Sequence, residues 1–159
     1  MSAHLLRKWS QKLSATQICW LVNWYRPFRG AGIRIVRISP DFREIRVLLR
    51  MRWWNRNYVG THFGGSIYAM TDPWYMFLLM QQLGPNFIVW DMEAKVRFLK
   101  PGRGTLSASF NLTEDDLARV NSDLQSAPKA LFTKEVEILD EREVVVARVE
   151  KVVYIRRKA

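Results

Sequence analysis

NYVGTHFGGSIYAMTDPWYMFLLMQQLG, residues 57–84, is the stretch that decides the fold of this chain. It begins as a glycine-rich turn around His62 and continues as an apolar segment that only Thr71, Asp72 and Pro73 interrupt. These three residues divide the apolar segment into two runs, and each run is too short to cross a bilayer. A helix that is apolar all round belongs in a protein core. The stretch therefore predicts a long central helix that the rest of the domain surrounds.

Segments with period-two alternation of apolar and polar residues lie on both sides of this helix and predict strands. They fall at about residues 33–38, 43–53, 88–98, 105–112, 130–139 and 144–155. In the second strand, the residues predicted to face the core are Ile45, Val47, Leu49, Met51 and Trp53. In the third they are Ile88, Trp90, Met92, Ala94, Val96 and Phe98, and in the last Val145, Ala147, Val149, Val153 and Ile155. The pattern predicts an α+β fold in which an antiparallel sheet of five to six strands wraps around the central helix.

An additional amphipathic helix is predicted at the N-terminus, over residues 1–29, before a main domain of residues 30–159. Its apolar stripe is Leu6, Trp9, Leu13, Trp20 and Trp24, with Arg7, Lys8 and Lys12 off the stripe. One interpretation is a helix packed on the domain or on a second subunit. The other is a helix that lies on a membrane surface, because Trp combined with Lys and Arg is typical of such helices.

Composition limits the classes of partner and compartment. The 159 residues suit one domain, and the net charge of +10, from 25 Lys and Arg against 15 Asp and Glu, favours anionic partners. A lone Cys19 excludes an intrachain disulfide and, with no secretory signal visible, indicates a cytoplasmic protein. Two His and one Cys form no ligand cluster, so no metal site is expected.

The central stretch also holds the candidate catalytic residues. Backbone N–H groups at a Gly64-Gly65 helix start suit a developing oxyanion. Asp72, in apolar surroundings, could act as a general base on water or as a nucleophile. Alternatively, Asp72 followed by Pro73 is what a helix N-cap looks like. His62 is either a ligand-polarising residue or a loop histidine bonded to backbone.

Asn57, Gly60, His62, Gly64-Gly65 and Asp72, followed by the Lys100-Pro101-Gly102-Arg103-Gly104 turn, resemble the hotdog fold, over roughly residues 30–157. The chain is similar to the phenylacetic-acid-type acyl-CoA thioesterases and to the DUF4442 group beside them. The resemblance implies a dimer, or a dimer of dimers, with active sites at the subunit interface. It also implies the thioester of coenzyme A or of acyl carrier protein as substrate, with no further cofactor.

The resemblance assigns roles residue by residue. Asp72 matches the helix carboxylate, Gly65 the N–H that polarises the thioester carbonyl, and Asn57 and His62 the loop residues that orient the substrate or water. Here Phe63 separates His62 from the glycine pair.

Three basic residues, Arg97, Lys100 and Arg103, flank a turn that could meet the phosphates of coenzyme A. The expected function is acyl-CoA thioester hydrolysis. The alternatives are an acyl-CoA-binding module without catalysis, and a basic interaction protein associated with a membrane or nucleic acid. Under the last alternative, the N-terminal helix could contact a membrane surface, and nucleic acid is not the expected partner.

Overall fold

The computed structural model describes residues 13–158, which form five helices and six strands. In chain order they are α1 (Ala15–Asn23), α2 (Arg26–Ala31), β1 (Ile33–Ile38), β2 (Glu44–Arg50), α3 (Gly64–Ala69), α4 (Trp74–Leu83), β3 (Phe87–Phe98), β4 (Thr105–Asn111), α5 (Glu114–Ser126), β5 (Lys129–Leu139) and β6 (Val145–Arg157). The strands form one antiparallel sheet in the order β1-β2-β4-β5-β6-β3. Strand β3 therefore lies at one edge of the sheet and β1 at the other.

The core lies between the inner face of the sheet and the central helical segment, as the sequence predicts. Tyr75 of α4 is fully buried, and its ring packs edge-on against Phe110 of β4 and Phe132 of β5, with centroids 5.2 and 5.8 Å away. Burial of an aromatic or aliphatic side chain of this size contributes about 1.5–3 kcal/mol. The predicted central helical segment is confirmed, with a turn over residues 70–73 that divides it into α3 and α4.

Strand β2 confirms its predicted alternation up to the point where it ends. Ile45, Val47 and Leu49 are buried against the core. The strand ends at Arg50, however, and Trp53, which the pattern placed on the apolar face, is 81% exposed in the loop that follows. The alternation alone did not mark this end, because Trp53 continues the period.

Strand β3 departs from the predicted alternation. A β-bulge falls between Asp91 and Glu93, so Met92 is an extra residue relative to β6. A bulge changes which face the following residues occupy. Residues before the bulge therefore alternate in the opposite phase to those after it, so Val89 and the Asp91 side chain face inward while Trp90 and Met92 are exposed. The prediction that Trp90 and Met92 face the core is wrong.

The N-terminal prediction is partly outside the described residues, since Leu6, Arg7, Lys8, Trp9 and Lys12 precede residue 13. Within them, Ser14 caps α1 through a reciprocal hydrogen-bond pair with Gln17. The single predicted helix is divided, since α1 ends at Asn23 and Pro27 lies in the first turn of α2. Here α1 buries Ala15 and Ile18, whereas the stripe residues Trp20 and Trp24 are exposed, so this end of the predicted stripe does not pack on the domain.

Helix α1 lies along the outer edge of β1 and covers it. The Asn23 side chain accepts a hydrogen bond from the Ile35 N–H and donates one to the Ile35 carbonyl, each at 2.9 Å. One amide side chain thus satisfies both backbone groups that a neighbouring strand would bond. In residues 13–158 no helix has the length and apolar character needed to cross a bilayer.

Candidate functional site

Asp72 lies in the turn between α3 and α4. The turn forms because the Thr71 and Asp72 N–H groups bond the carbonyls of Tyr68 and Ala69, at 2.9 and 3.3 Å. The N-cap residue of α4 is Pro73, and no side chain caps that helix by a hydrogen bond. The alternative in which Asp72 caps the helix is therefore not observed. Its carboxylate is 44% exposed and makes its contact elsewhere.

Lys151 of β6 is the partner of Asp72. Its side chain is 1% exposed, with Nζ 3.3 Å from Asp72 Oδ1 and 3.4 Å from Asp91 Oδ1. The ammonium also lies 5.4 Å from the centre of the Tyr68 ring. A buried ammonium is costly unless opposite charges surround it, so the two carboxylates account for its presence in the core. We call Asp72, Lys151 and Asp91 the Asp–Lys–Asp cluster.

Asp91 is the buried carboxylate of the cluster, with a side chain 16% exposed. Burial, with a smaller contribution from the nearby Asp72, raises the pKa of Asp91 to about 6 against the attraction of Lys151. Lys151 is within ion-pair distance, yet neither Asp91 oxygen accepts a hydrogen bond of ordinary geometry from the described residues. Asp91 therefore titrates closer to neutral pH than an ordinary aspartate, as groups in active sites often do.

Two of these three residues were not predicted from the sequence. Lys151 carried a readable signal, because it interrupts the apolar series Ala147, Val149, Val153 and Ile155, all fully buried on one face of β6. A charge at a core position of a strand marks a paired or functional group. Asp91 carried no such signal, because its inward direction depends on the bulge in β3.

Asn57 organises the loop before α3. Its Nδ2 donates to Thr61 Oγ1 at 2.7 Å and to the His62 carbonyl at 3.2 Å. Its Oδ1 accepts from the N–H groups of Val59 and Thr61 at 3.1 and 2.9 Å. Both ends of the Asn57 amide are thus engaged within its own loop.

His62 is buried and joins this loop to the turn before β4. The backbone N–H of His62 donates to the Gly102 carbonyl at 3.0 Å, and its ring Nε2 lies 2.9 Å from the Gly104 carbonyl oxygen. Since a carbonyl only accepts, Nε2 carries the proton. Burial lowers the pKa of His62, which favours the neutral ring. Its Nδ1 is then a buried acceptor with no partner among the described residues.

Gly64 and Gly65 begin α3, and because they lack side chains, aromatic rings pack close to their backbone. A Cβ on Gly65 would lie 2.4 Å from the ring of Phe63, and one on Gly64 would lie 3.0 Å from the ring of Phe98. The residue that separates His62 from the glycines thus packs its ring over Gly65. Phe63 itself is 59% exposed, so it covers the start of α3 from the solvent side.

The three predicted phosphate-binding residues are exposed and are not part of the Asp–Lys–Asp cluster. Lys100 and Arg103 belong to the turn whose Gly102 and Gly104 bond His62, so this turn lies against the loop that leads into α3. Arg97 is on the outward side of β3. Within residues 13–158, neither Arg97 nor Arg103 forms an ion pair, which leaves both guanidinium groups available.

Comparisons with known proteins agree on the fold. Residues 15–155 match the family model DUF4442, a domain of unknown function. A search of curated proteins found no match. A Pseudomonas aeruginosa protein of unknown function, described as a probable thioesterase, has a similar structure, with TM-score 0.77 and 19% identity over 90% of this chain and 96% of that one.

Two further solved structures are similar. One is a Haemophilus influenzae thioesterase, with TM-score 0.65 and 13% identity over 91% of this chain and 92% of that one. The other is the Escherichia coli PaaI protein of the phenylacetic acid degradation operon, with TM-score 0.58 and 14% identity over 88% and 89%. At such identities these similarities concern the fold alone, and they confirm the predicted hotdog architecture.

Proposed function

Because this chain belongs to the DUF4442 family and shares its fold with thioesterases, we propose that it hydrolyses the thioester of an acyl-CoA or an acyl carrier protein. The reaction adds water across the thioester and yields a carboxylic acid and a free thiol. The cytoplasm is the compartment assumed, since a lone cysteine suits a reducing environment.

The observation that carries the proposal is the half-exposed carboxylate of Asp72, held on a buried ammonium. An exposed aspartate on a helix turn needs no buried lysine for stability. Lys151 fixes Asp72 Oδ1 in one direction, and a fixed carboxylate is what general-base or nucleophilic chemistry requires. The N-cap alternative would have explained the carboxylate without chemistry, and no capping bond supports it.

In the proposed reaction, Asp72 takes a proton from water while the water oxygen attacks the thioester carbonyl carbon. The carbonyl oxygen becomes an oxyanion that the Gly65 N–H stabilises. Collapse of this intermediate breaks the carbon–sulfur bond, and the proton on Asp72 passes to the leaving thiolate. If Asp72 attacks directly, the same residues serve and water enters in the second step.

The loop contacts of Asn57 and His62 support positioning roles in this scheme. Their hydrogen bonds hold the loop that leads into Gly65 and dock it on the turn that carries Lys100 and Arg103. Cations on that turn, with Arg97, would bind the phosphates of coenzyme A.

The test is thiol release from short-, medium- and long-chain and aromatic acyl-CoAs. For Asp72→Asn we expect kcat to fall by about 100-fold or more, with thermal unfolding little changed. Asp115→Asn, at an exposed carboxylate of α5, is the matched control and should keep full activity. If the parent protein releases no thiol yet acyl-CoA raises its Tm, the chain is a binding module and the proposal fails.

A second part of the proposal is a homodimer, or a dimer of dimers, formed through the β3 edge. In the described residues β3 has only β6 as a strand neighbour, and Trp90 beside this edge is 66% exposed. A long unpaired edge favours association with another copy. Light scattering should give at least twice the 18.8 kDa chain mass. Trp90→Arg should lower that mass, whereas Trp53→Arg, at another exposed tryptophan, should not.

A further inference from the structure

The excess of positive over negative charge in this protein comes from one part of the chain. Residues 1–60 carry 12 Lys and Arg against two acidic residues, and residues 61–159 carry 13 of each sign. The whole net charge of +10 therefore belongs to the first 60 residues. Such asymmetry is typical of proteins that bind a polyanionic surface.

Several basic and aromatic residues of the described part of this segment lie together on one surface. A surface cavity of about 600 Å³ is lined by Trp20 of α1, Trp24 directly after α1, Arg34 of β1, Arg50 at the end of β2, and Arg52 and Trp54 in the loop that follows. We call these six residues the Trp–Arg face. A second cavity of about 560 Å³ adjoins the first, since Trp20, Arg34 and Arg50 line both.

Among residues 13–158, no acidic side chain forms an ion pair with an arginine of the Trp–Arg face. Across residues 13–60, the only ion pair is that of Arg43 with Glu114 on α5. Arg29 stacks over the Trp24 ring at 4.8 Å, so a cation there is already combined with an aromatic side chain. Unpaired arginines beside one another repel, which costs stability unless an anionic surface neutralises them.

The outward side of α1 is apolar and aromatic, which is unusual for a helix facing water. Trp20, Leu21, Trp24 and Tyr25 are each between 48 and 63% exposed. Beside them an apolar cavity of about 330 Å³ opens between α1, α2 and α4, and Leu21 and Tyr25 line it. Trp and Tyr prefer the boundary between the headgroups and the acyl chains of a bilayer.

We propose that the Trp–Arg face docks on an anionic phospholipid bilayer, with the arginines on lipid phosphates and the exposed side chains of α1 in the headgroup layer. This is a property separate from thioester hydrolysis. A basic patch next to exposed aromatic and aliphatic side chains combines the two interactions that hold a peripheral protein on a membrane.

Two other occupants fit less well. A second copy of this chain would present the same unpaired arginines and be repelled, and the rest of the molecule has no net charge to attract them. A nucleic acid would use the arginines and could stack on the tryptophans. It would gain nothing from exposed Leu21 or from the apolar cavity beside it.

The experiment is sedimentation of the full chain with vesicles of phosphatidylcholine alone or of phosphatidylcholine with about a third phosphatidylglycerol. We expect binding only to the second, weakened by salt because exposed charges are screened. The triple variant Arg34→Gln, Arg50→Gln, Arg52→Gln should lower the partition coefficient roughly 100-fold.

Matched variants separate this surface from net charge. The triple Lys95→Gln, Lys129→Gln, Arg142→Gln removes the same charge from other exposed positions and should lower partitioning only slightly. The double variant Trp20→Ser, Trp24→Ser keeps the charge and should lower partitioning several-fold. Because none of these side chains is buried, each variant should keep the parent Tm, which circular dichroism checks.

Three results would overturn the proposal. The first is no binding to phosphatidylglycerol vesicles, and the second is an equal loss in the two charge triples. The third is tighter binding to an oligonucleotide than to vesicles at equal phosphate concentration, unaffected by the tryptophan variant, which would assign the face to nucleic acid.

Discussion

The two edge strands of the sheet, β1 and β3, differ in what covers their outer sides. At the β1 edge, α1 lies along the strand, and the Asn23 amide bonds both backbone groups of Ile35. At the β3 edge, a strand of 12 residues ends the sheet with a bulge and exposed Trp90. The chain therefore covers one edge with its own residues, whereas the other edge has no strand neighbour beyond it among the described residues, which suits the proposed dimer.

The candidate chemistry lies next to the open edge. Asp91 belongs to β3, and Lys151 to the neighbouring β6, so a partner strand added at β3 would lie one strand from the Asp–Lys–Asp cluster. The closed edge carries instead the unpaired arginines and exposed tryptophans. The proposed dimer contact and the proposed catalytic residues therefore both lie at the β3 edge. The β1 edge carries the face proposed to contact a membrane.

The largest expected effect comes from removing the ammonium beside the open edge. Lys151→Met leaves two carboxylates without their cation, one of them buried, and should lower the free energy of unfolding by about 3–5 kcal/mol at pH 7. It should also lower kcat, because Asp72 loses the contact that orients it. Denaturant titration and thiol release measure the two effects.

Controls for Lys151 come from within the chain. Lys129→Met, at an exposed position of β5, should change neither stability nor kcat. The double variant Lys151→Met, Asp91→Asn should recover part of the lost stability, because no buried carboxylate is left unpaired. A Lys151→Met protein as stable as the parent at pH 7 would show that the cluster is solvated and not a buried charge network.

The next effect is a pH dependence specific to Asp91. Its folded-state pKa of about 6 lies above the ordinary 3.8, so between about pH 4 and 6 the folded protein keeps a proton that the unfolded chain has released. The stability from this group is complete below about pH 4 and is lost as the pH rises to about 6. A difference of about two in pKa corresponds to a loss of up to about 3 kcal/mol.

The measurement is the unfolding free energy of parent and Asp91→Asn between about pH 4 and 7. Because the asparagine side chain does not ionise, the variant should gain stability relative to the parent as the pH rises through this window. A constant difference between the two curves would place the folded pKa of Asp91 near its ordinary value.

The smallest effect is expected at the closed edge. Asn23→Ala removes the two hydrogen bonds to Ile35 and exposes the β1 backbone, at a cost of about 1–2 kcal/mol, measured by denaturant titration. Asn23→Asp keeps the acceptor for the Ile35 N–H and loses only the donor, so it should cost less unless charge repulsion of the Ile35 carbonyl dominates. Increased self-association of Asn23→Ala would show that this amide protects the edge, whereas unchanged stability would contradict the closure.

The fold was largely predictable from the sequence because period-two alternation and an all-round apolar helix report burial directly. Asp72 was predicted from its place in the apolar central stretch and from the family resemblance, and Lys151 could have been singled out as a charge in the buried face of β6. Asp91 could not, because its direction is set by pairing between β3 and β6 and not by the local pattern. For the same reason Trp90 was placed on the wrong face.

The bulge in β3 has a consequence for aligning relatives of this chain. Opposite it, Asp91 pairs with Val153 and Glu93 with Val152, so Met92 has no counterpart on β6. A relative that lacks this one residue would pair in unbroken register and still present its aspartate toward Lys151. A single-residue gap in an alignment therefore belongs at position 92, inside the strand. A gap moved to the nearest loop would misalign every β3 residue between that loop and position 92.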